Sequence, residues 1–136
     1  MRDEQVRRYA RHILLPDVGG RGQVALLASA AMIELPAEEP LAALIAARYL
    51  AAGGVGTVAL RGATAEQLAE VAAQVGDGRL ETANQTLPSV SDGPLELPAR
   101  PAWWPEPALD HGGATAEAYW RGGLAAVRWM ASVGNL

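Results

Sequence analysis

The chain has 136 residues, half of them hydrophobic and 19% charged, enough for one compact domain that buries roughly two-thirds of its unfolded surface. A formal net charge of −4 gives no long-range attraction to nucleic acid or anionic lipid, so neither is expected as a partner. All eleven cationic residues are Arg and there is no Cys or Lys, which excludes a disulfide framework, a thiolate nucleophile, a Cys-ligated zinc or iron–sulfur centre and a lysine grip on phosphate.

Residues 3–14 read as a first helix. Val6, Tyr9, Ala10, Ile13 and Leu14 recur at helical spacing, Arg7, Arg8 and Arg11 lie on another face, and Asp3 is placed to cap the start. Pro16 and a turn at Gly19-Gly20-Arg21-Gly22 end it. A short helix over 23–28 leads into a buried strand over 30–35, and Pro36 to Pro40 form an acidic turn. Residues 41–52 form a helix with Leu41, Leu44 and Ile45 facing inward, closed by Gly53-Gly54. A second strand follows over 55–60. Thr64-Ala65-Glu66-Gln67 matches a capping box, and Leu68, Val71, Ala72 and Val75 supply the stripe of a helix that ends at Gly76 and Gly78. Residues 79–86 read as a third strand, so 30–86 form a β-α-β-α-β unit, which calls for a parallel sheet.

Composition then changes. Six of the nine prolines lie between Pro88 and Pro107, so 87–111 is an extended connector rather than a helix or central strand. Its paired indoles, Trp103 and Trp104, are expected to lie on the domain or on a partner protein. Residues 114–133 form a long last helix with Tyr119, Trp120, Gly123, Val127 and Met130 on one side. Gly122-Gly123 in its middle weakens it by up to about 1 kcal/mol each, which close approach of another backbone would offset. The start of the chain carries no apolar run suited to a secretory signal, and no uncharged stretch reaches bilayer-spanning length. The expectation is a soluble cytoplasmic protein of one domain.

Two stretches resemble the ThiF/MoeB/HesA family, the prokaryotic relatives of ubiquitin-activating E1 enzymes. The first is Arg8-Tyr9-Ala10-Arg11-His12-Ile13-Leu14-Leu15-Pro16, followed by Gly22-Gln23, Leu26-Leu27 and Ala28-Ser29. The second is Tyr49-Leu50-Ala51-Ala52-Gly53-Gly54-Val55-Gly56-Thr57-Val58, and Arg121 to Arg128 is a weaker third match. The resemblance implies an α/β fold with a partial Rossmann-like parallel sheet of about three strands, flanking helices, an N-terminal helix and a long C-terminal helix. It also implies descent from enzymes that adenylate the C-terminus of a ubiquitin-like or sulfur-carrier protein with ATP and magnesium.

In such enzymes the first strand ends in a glycine-rich turn that lets backbone N–H groups approach the phosphates. Here the turn reads Glu34-Leu35-Pro36-Ala37-Glu38-Glu39-Pro40. Glu34, Glu38 and Glu39 stand where polyphosphate would sit, and one like-charge pair at 4 Å costs roughly 4 kcal/mol at an effective dielectric near 20. The acid that would hold ribose is replaced by Arg61-Gly62, and the family's lysine and cysteines have no counterpart. The resemblance therefore points to a non-catalytic relative, shorter than an active member, that works as a protein-interaction or oligomerisation module. Its partner is a second copy, an active homologue, or a ubiquitin-like or sulfur-carrier protein. No catalytic residue, metal or cofactor is expected.

Arg11 holds the position from which a family arginine reaches across the dimer into the neighbour's ATP site, a task suited to a permanent, planar cation. The plainer reading is a solvated helix residue. Tyr9, His12, Ile13 and Leu14 of the same motif, with Trp103 and Trp104, are the candidate interface. The acidic turn reads as a solvated helix start, since acids favour helix N-termini, with a cation site as the sharper alternative. His12 and His111 have no nearby ligand triad, and Asp110-His111 reads as a turn before the final helix. No Ser sits in a nucleophile elbow. Two other readings stay open: an ATP-dependent adenylyltransferase with a rebuilt site, and a small-molecule sensor whose vacated crevice takes an uncharged or cationic guest.

Overall fold

The computed structural model describes residues 2–8, 19–74, 79–82, 95–100, 102 and 111–134. Among the described residues, five helices and three strands follow in the order α1 (Asp3–Arg8), α2 (Gly19–Leu27), β1 (Ala30–Glu34), α3 (Leu41–Ala52), β2 (Thr57–Arg61), α4 (Ala65–Ala72), β3 (Arg79–Thr82) and α5 (His111–Gly134). The strands form one parallel sheet in the order β1-β2-β3, with α3 and α4 as the crossovers that parallel pairing requires. The chain is thus mixed α/β with a parallel sheet. Among the described residues no helix is long and apolar enough to cross a membrane.

The core lies between the sheet and α3. Ala31 and Ile33 on β1 and Val58 and Leu60 on β2 join Leu44, Ala47, Leu50 and Ala51 of α3 in one buried cluster. Strand alternation turns Met32 and Ala59 to the other face, where they are buried as well, as expected for a parallel sheet. Eight of the twelve residues of α3 are buried. A helix apolar nearly all round must be enclosed, and α5 encloses α3 on the flank that the sheet leaves open. Leu41 departs from expectation: its side chain is exposed, while Leu44 and Ile45 point inward.

Local signals account for most boundaries. Gln67 N–H donates to Thr64 Oγ1 (3.2 Å) and Thr64 N–H to Gln67 Oε1 (2.9 Å), the reciprocal pair of a capping box. At the end of α3 the left-handed residue is Gly54 (φ 91°), with Gly53 still right-handed. Val55 N–H then bonds Leu50 O and Gly56 N–H bonds Leu26 O, so β2 begins at Thr57, two residues later than its apolar run suggests.

Other expectations are corrected. Gly19 to Gly22 are the first turn of α2, not a turn before it. Tertiary burial of Gly22, Gln23 and Leu26 overrides the poor helix propensity of glycine, and Gln23 Nε2 donates to Gly53 O (3.1 Å), joining α2 to the end of α3. Asp3 lies inside α1 rather than capping it. Val6 N–H reaches Arg2 O, and Arg2 N–H donates to Gln5 Oε1, while Asp3 keeps a favourable place at the positive end of the helix.

On α5 the backbone approach expected at Gly122-Gly123 is made at Gly122, on a face of small residues. Ala118, Gly122, Ala125 and Ala126 are buried, whereas Tyr119 and Val127 are exposed. The reason is distance: a Cβ on Gly122 would lie 2.3 Å from Ala42 O and 3.0 Å from Ala46 N. Only small residues admit that approach; further along α5, Trp129, Met130 and Val133 pack on the core, with Met130 against Gly53 at the end of α3. His111 is the first residue of α5 rather than part of a preceding turn.

Residues 1, 9–18, 75–78, 83–94, 101, 103–110 and 135–136 lie outside the described residues. They include the second half of the expected first helix, Val75, Gly76 and Gly78, the end of the third strand and most of the connector.

Candidate functional site

Ligands of open parallel sheets bind beyond the carboxyl ends of the strands, where the strand order reverses. This chain forms a crevice beyond the ends of β1 and β2, although among the described residues the strand order β1-β2-β3 does not reverse. Thr57 N–H bonds Ser29 O and Leu35 N–H bonds Arg61 O, so Ser29 and Leu35 turn their polar groups toward β2. Met32, an odd number of residues from each, turns its carbonyl to the opposite edge, and there it accepts from Leu95 N–H at 2.7 Å. Leu95 therefore lies beside the other edge of β1, which stands between it and β2.

Side chains hold the segment 95–100 down. Leu95 and Leu97 pack on the main core, and Leu97 also reaches Ala42, Ile45 and Ala118. Arg121 Nε donates to Pro98 O at 2.7 Å. The Arg121 and Arg100 guanidinium groups lie 3.6 and 3.8 Å from the carboxylate of Glu117, which is itself buried. Pairing of this kind is what makes a buried carboxylate tolerable.

Between the segment and the ends of β1 and β2 lies an open crevice of about 590 Å³, within the size range of small-molecule sites. Leu35, Pro36, Gly62, Leu95 and Leu97 form its apolar wall, and Glu34, Glu96 and Arg61 bring its charges. Arg61 Nη1 lies 2.7 Å from Glu34 Oε1, and its Nη2 points to Met32 Sδ at 3.7 Å. Its Nε is buried without a hydrogen-bond partner. Among the described residues of the wall, the one guanidinium is thus committed to a carboxylate, and Glu96 adds a second carboxylate to the lining. The turn that leads to α3 offers little to an anion: Pro36 and Pro40 have no N–H, and Glu38 and Glu39 are exposed on it. No side chain caps α3.

Of the residues expected to form the degenerate nucleotide turn, Glu34 and Pro36 line the crevice, while Glu38 and Glu39 lie outside its wall. Glu39 takes a left-handed backbone conformation (φ 52°), rare for a residue with a side chain. Sequence reasoning missed Glu96 as a lining residue; the Leu95-Glu96-Leu97 alternation was the signal that could have found it. Arg11, Tyr9, His12, Ile13, Leu14, Trp103 and Trp104 lie outside the described residues. Among the described residues no three His, Asp or Glu side chains come together as a metal site would require. No protein-family model and no curated protein matches the chain.

Proposed function

We propose that this chain is a shortened, non-catalytic relative of the ThiF/MoeB/HesA enzymes, with a partial Rossmann-like sheet, that acts in the cytoplasm as a protein-interaction or oligomerisation module. The observation that carries the reading is the charge of the crevice at the ends of β1 and β2. Where an adenylating enzyme needs N–H donors and free cations, Glu34 engages Arg61 at 2.7 Å, Glu96 adds a second carboxylate, and the following turn holds two prolines. A triphosphate placed there would meet Glu34 and Glu96 with, among the described lining residues, only the already paired Arg61 to offset them.

Calorimetric titration with ATP and magnesium tests this directly. No saturable heat is expected up to millimolar nucleotide; saturation in the micromolar range would refute the reading and favour an adenylyltransferase with a rebuilt site. Where the partner is an active homologue, Arg11 enters that protein's nucleotide site. Arg11→Ala should then slow the homologue's adenylation of its ubiquitin-like or sulfur-carrier substrate without loosening the complex, and an unchanged rate would discard that version. The size and apolar wall of the crevice favour a second reading, a sensor for an uncharged or cationic small molecule. Thermal shifts across a metabolite panel test it, and a panel that moves nothing counts against it.

A further inference from the structure

The outer flank of α3 and α5 carries an apolar surface. Tyr49, Tyr119 and Val127 are exposed to 46%, 45% and 59%. They are contiguous: Tyr119 and Val127 lie one turn to either side of Gly123, and a Cβ on Gly123 would meet Tyr49 Cε2 at 3.5 Å. Ile45 and Ala52 line a groove of about 140 Å³ between the two tyrosines, together with Arg48 and Gln74. Arg48 is the one charged residue in that lining, and among the described residues no carboxylate pairs with it. A half-buried guanidinium beside exposed aromatic rings suits a partner that brings a carboxylate and an apolar side chain together.

Helix α1 carries that combination. Its first turn holds Asp3 and Glu4, Val6 is exposed, and none of its residues is buried. Arg8 Nη2 donates to Gln74 O at 3.0 Å, which ties the end of α1 to the rim of the same groove. Six residues span only about 9 Å, and in this position α1 buries nothing. Groove and acidic helix lie side by side on one chain, so two copies related by a two-fold axis would each offer the other both halves of the contact.

We infer that this flank is a self-association surface, on which α1 of a second copy lays Val6 against Tyr49 and Tyr119 and pairs Asp3 or Glu4 with Arg48. The inference rests on the reading of the chain as an association module and names the face. Sedimentation equilibrium on the full chain across micromolar concentrations tests it, with Arg48→Glu, with Asp3→Arg/Glu4→Arg, and with all three changes together. Each reversal alone should weaken dimerisation by roughly tenfold or more, and the combination should recover most of the loss. A monomer at every concentration, single reversals without effect, or a combined variant no better than either parent would overturn the inference. Circular dichroism of each variant reports its fold, and these surface side chains should leave it intact. Saturable ATP binding by the same preparation would remove the non-catalytic reading and leave the sedimentation result to judge the face alone.

Discussion

Replacing Gly122 by alanine adds a methyl carbon 2.3 Å from Ala42 O, 3.0 Å from Ala46 N and 3.0 Å from Ile45 Cβ. Two of those neighbours are main-chain atoms of α3, which has no rotamer to change, so α5 must move outward by about 1 Å to reach van der Waals separation. Such a gap forfeits a quarter to a half of the dispersion energy along the contact, and overpacking of this kind costs about 1–3 kcal/mol. The upper figure applies where the obstacle is backbone. Alanine's better helix propensity returns about 1 kcal/mol, which leaves a net loss of about 2 kcal/mol. Gly123 is the internal control. Its added carbon would meet only the Tyr49 ring, at 3.5 Å, an ordinary contact, so Gly123→Ala should gain about 1 kcal/mol from propensity alone. Urea unfolding followed by far-ultraviolet circular dichroism reads both, with midpoints moving in opposite directions at constant slope. Midpoints that move the same way, or a Gly122→Ala protein as stable as the parent, would refute the close approach of α3 and α5.

Three further outcomes follow from single residues. Glu39 holds φ at 52°, so Glu39→Gly should stabilise the protein by about 0.5–1 kcal/mol while Glu39→Ala, which keeps the strain, should not; equal melting temperatures would exclude the strain. Thr64→Ala removes the oxygen that accepts from Gln67 N–H and should cost about 1 kcal/mol by chemical denaturation. Gln23→Leu removes the donor to Gly53 O in a fully buried position and should cost about 1–3 kcal/mol, an estimate that a neutral melting curve would contradict.

What could be read from the sequence was mostly local. Gly53-Gly54 and the Thr64–Gln67 box mark helix ends through bonds made within a few residues, and α3 keeps its expected limits, Leu41–Ala52. Non-local contacts decided the rest. Gly19 to Gly22 look like a turn by composition, and only burial of Gly22 and Gln23 makes them helical. On α5 the glycine pair signals a close approach, but only the fold shows that Gly122 makes it, against Ala42 and Ala46. At the crevice, Glu34 and Pro36 were legible because they end a recognisable strand. The Arg61–Glu34 pair joins residues 27 apart in sequence, and the short Leu95-Glu96-Leu97 alternation does not say which edge of the sheet it meets. The motif around Arg11 and the paired tryptophans lies outside the described residues.

The enclosure of α3 has a consequence for how the polypeptide matures. Roughly 60 residues separate the end of α3 from the start of α5, about 3–12 s of translation at ribosomal rates. Throughout that interval a newly made helix greasy on nearly every side has only half its covering, and the missing half arrives last. Nascent chains stalled before Gly122 should therefore be the species that chaperones hold.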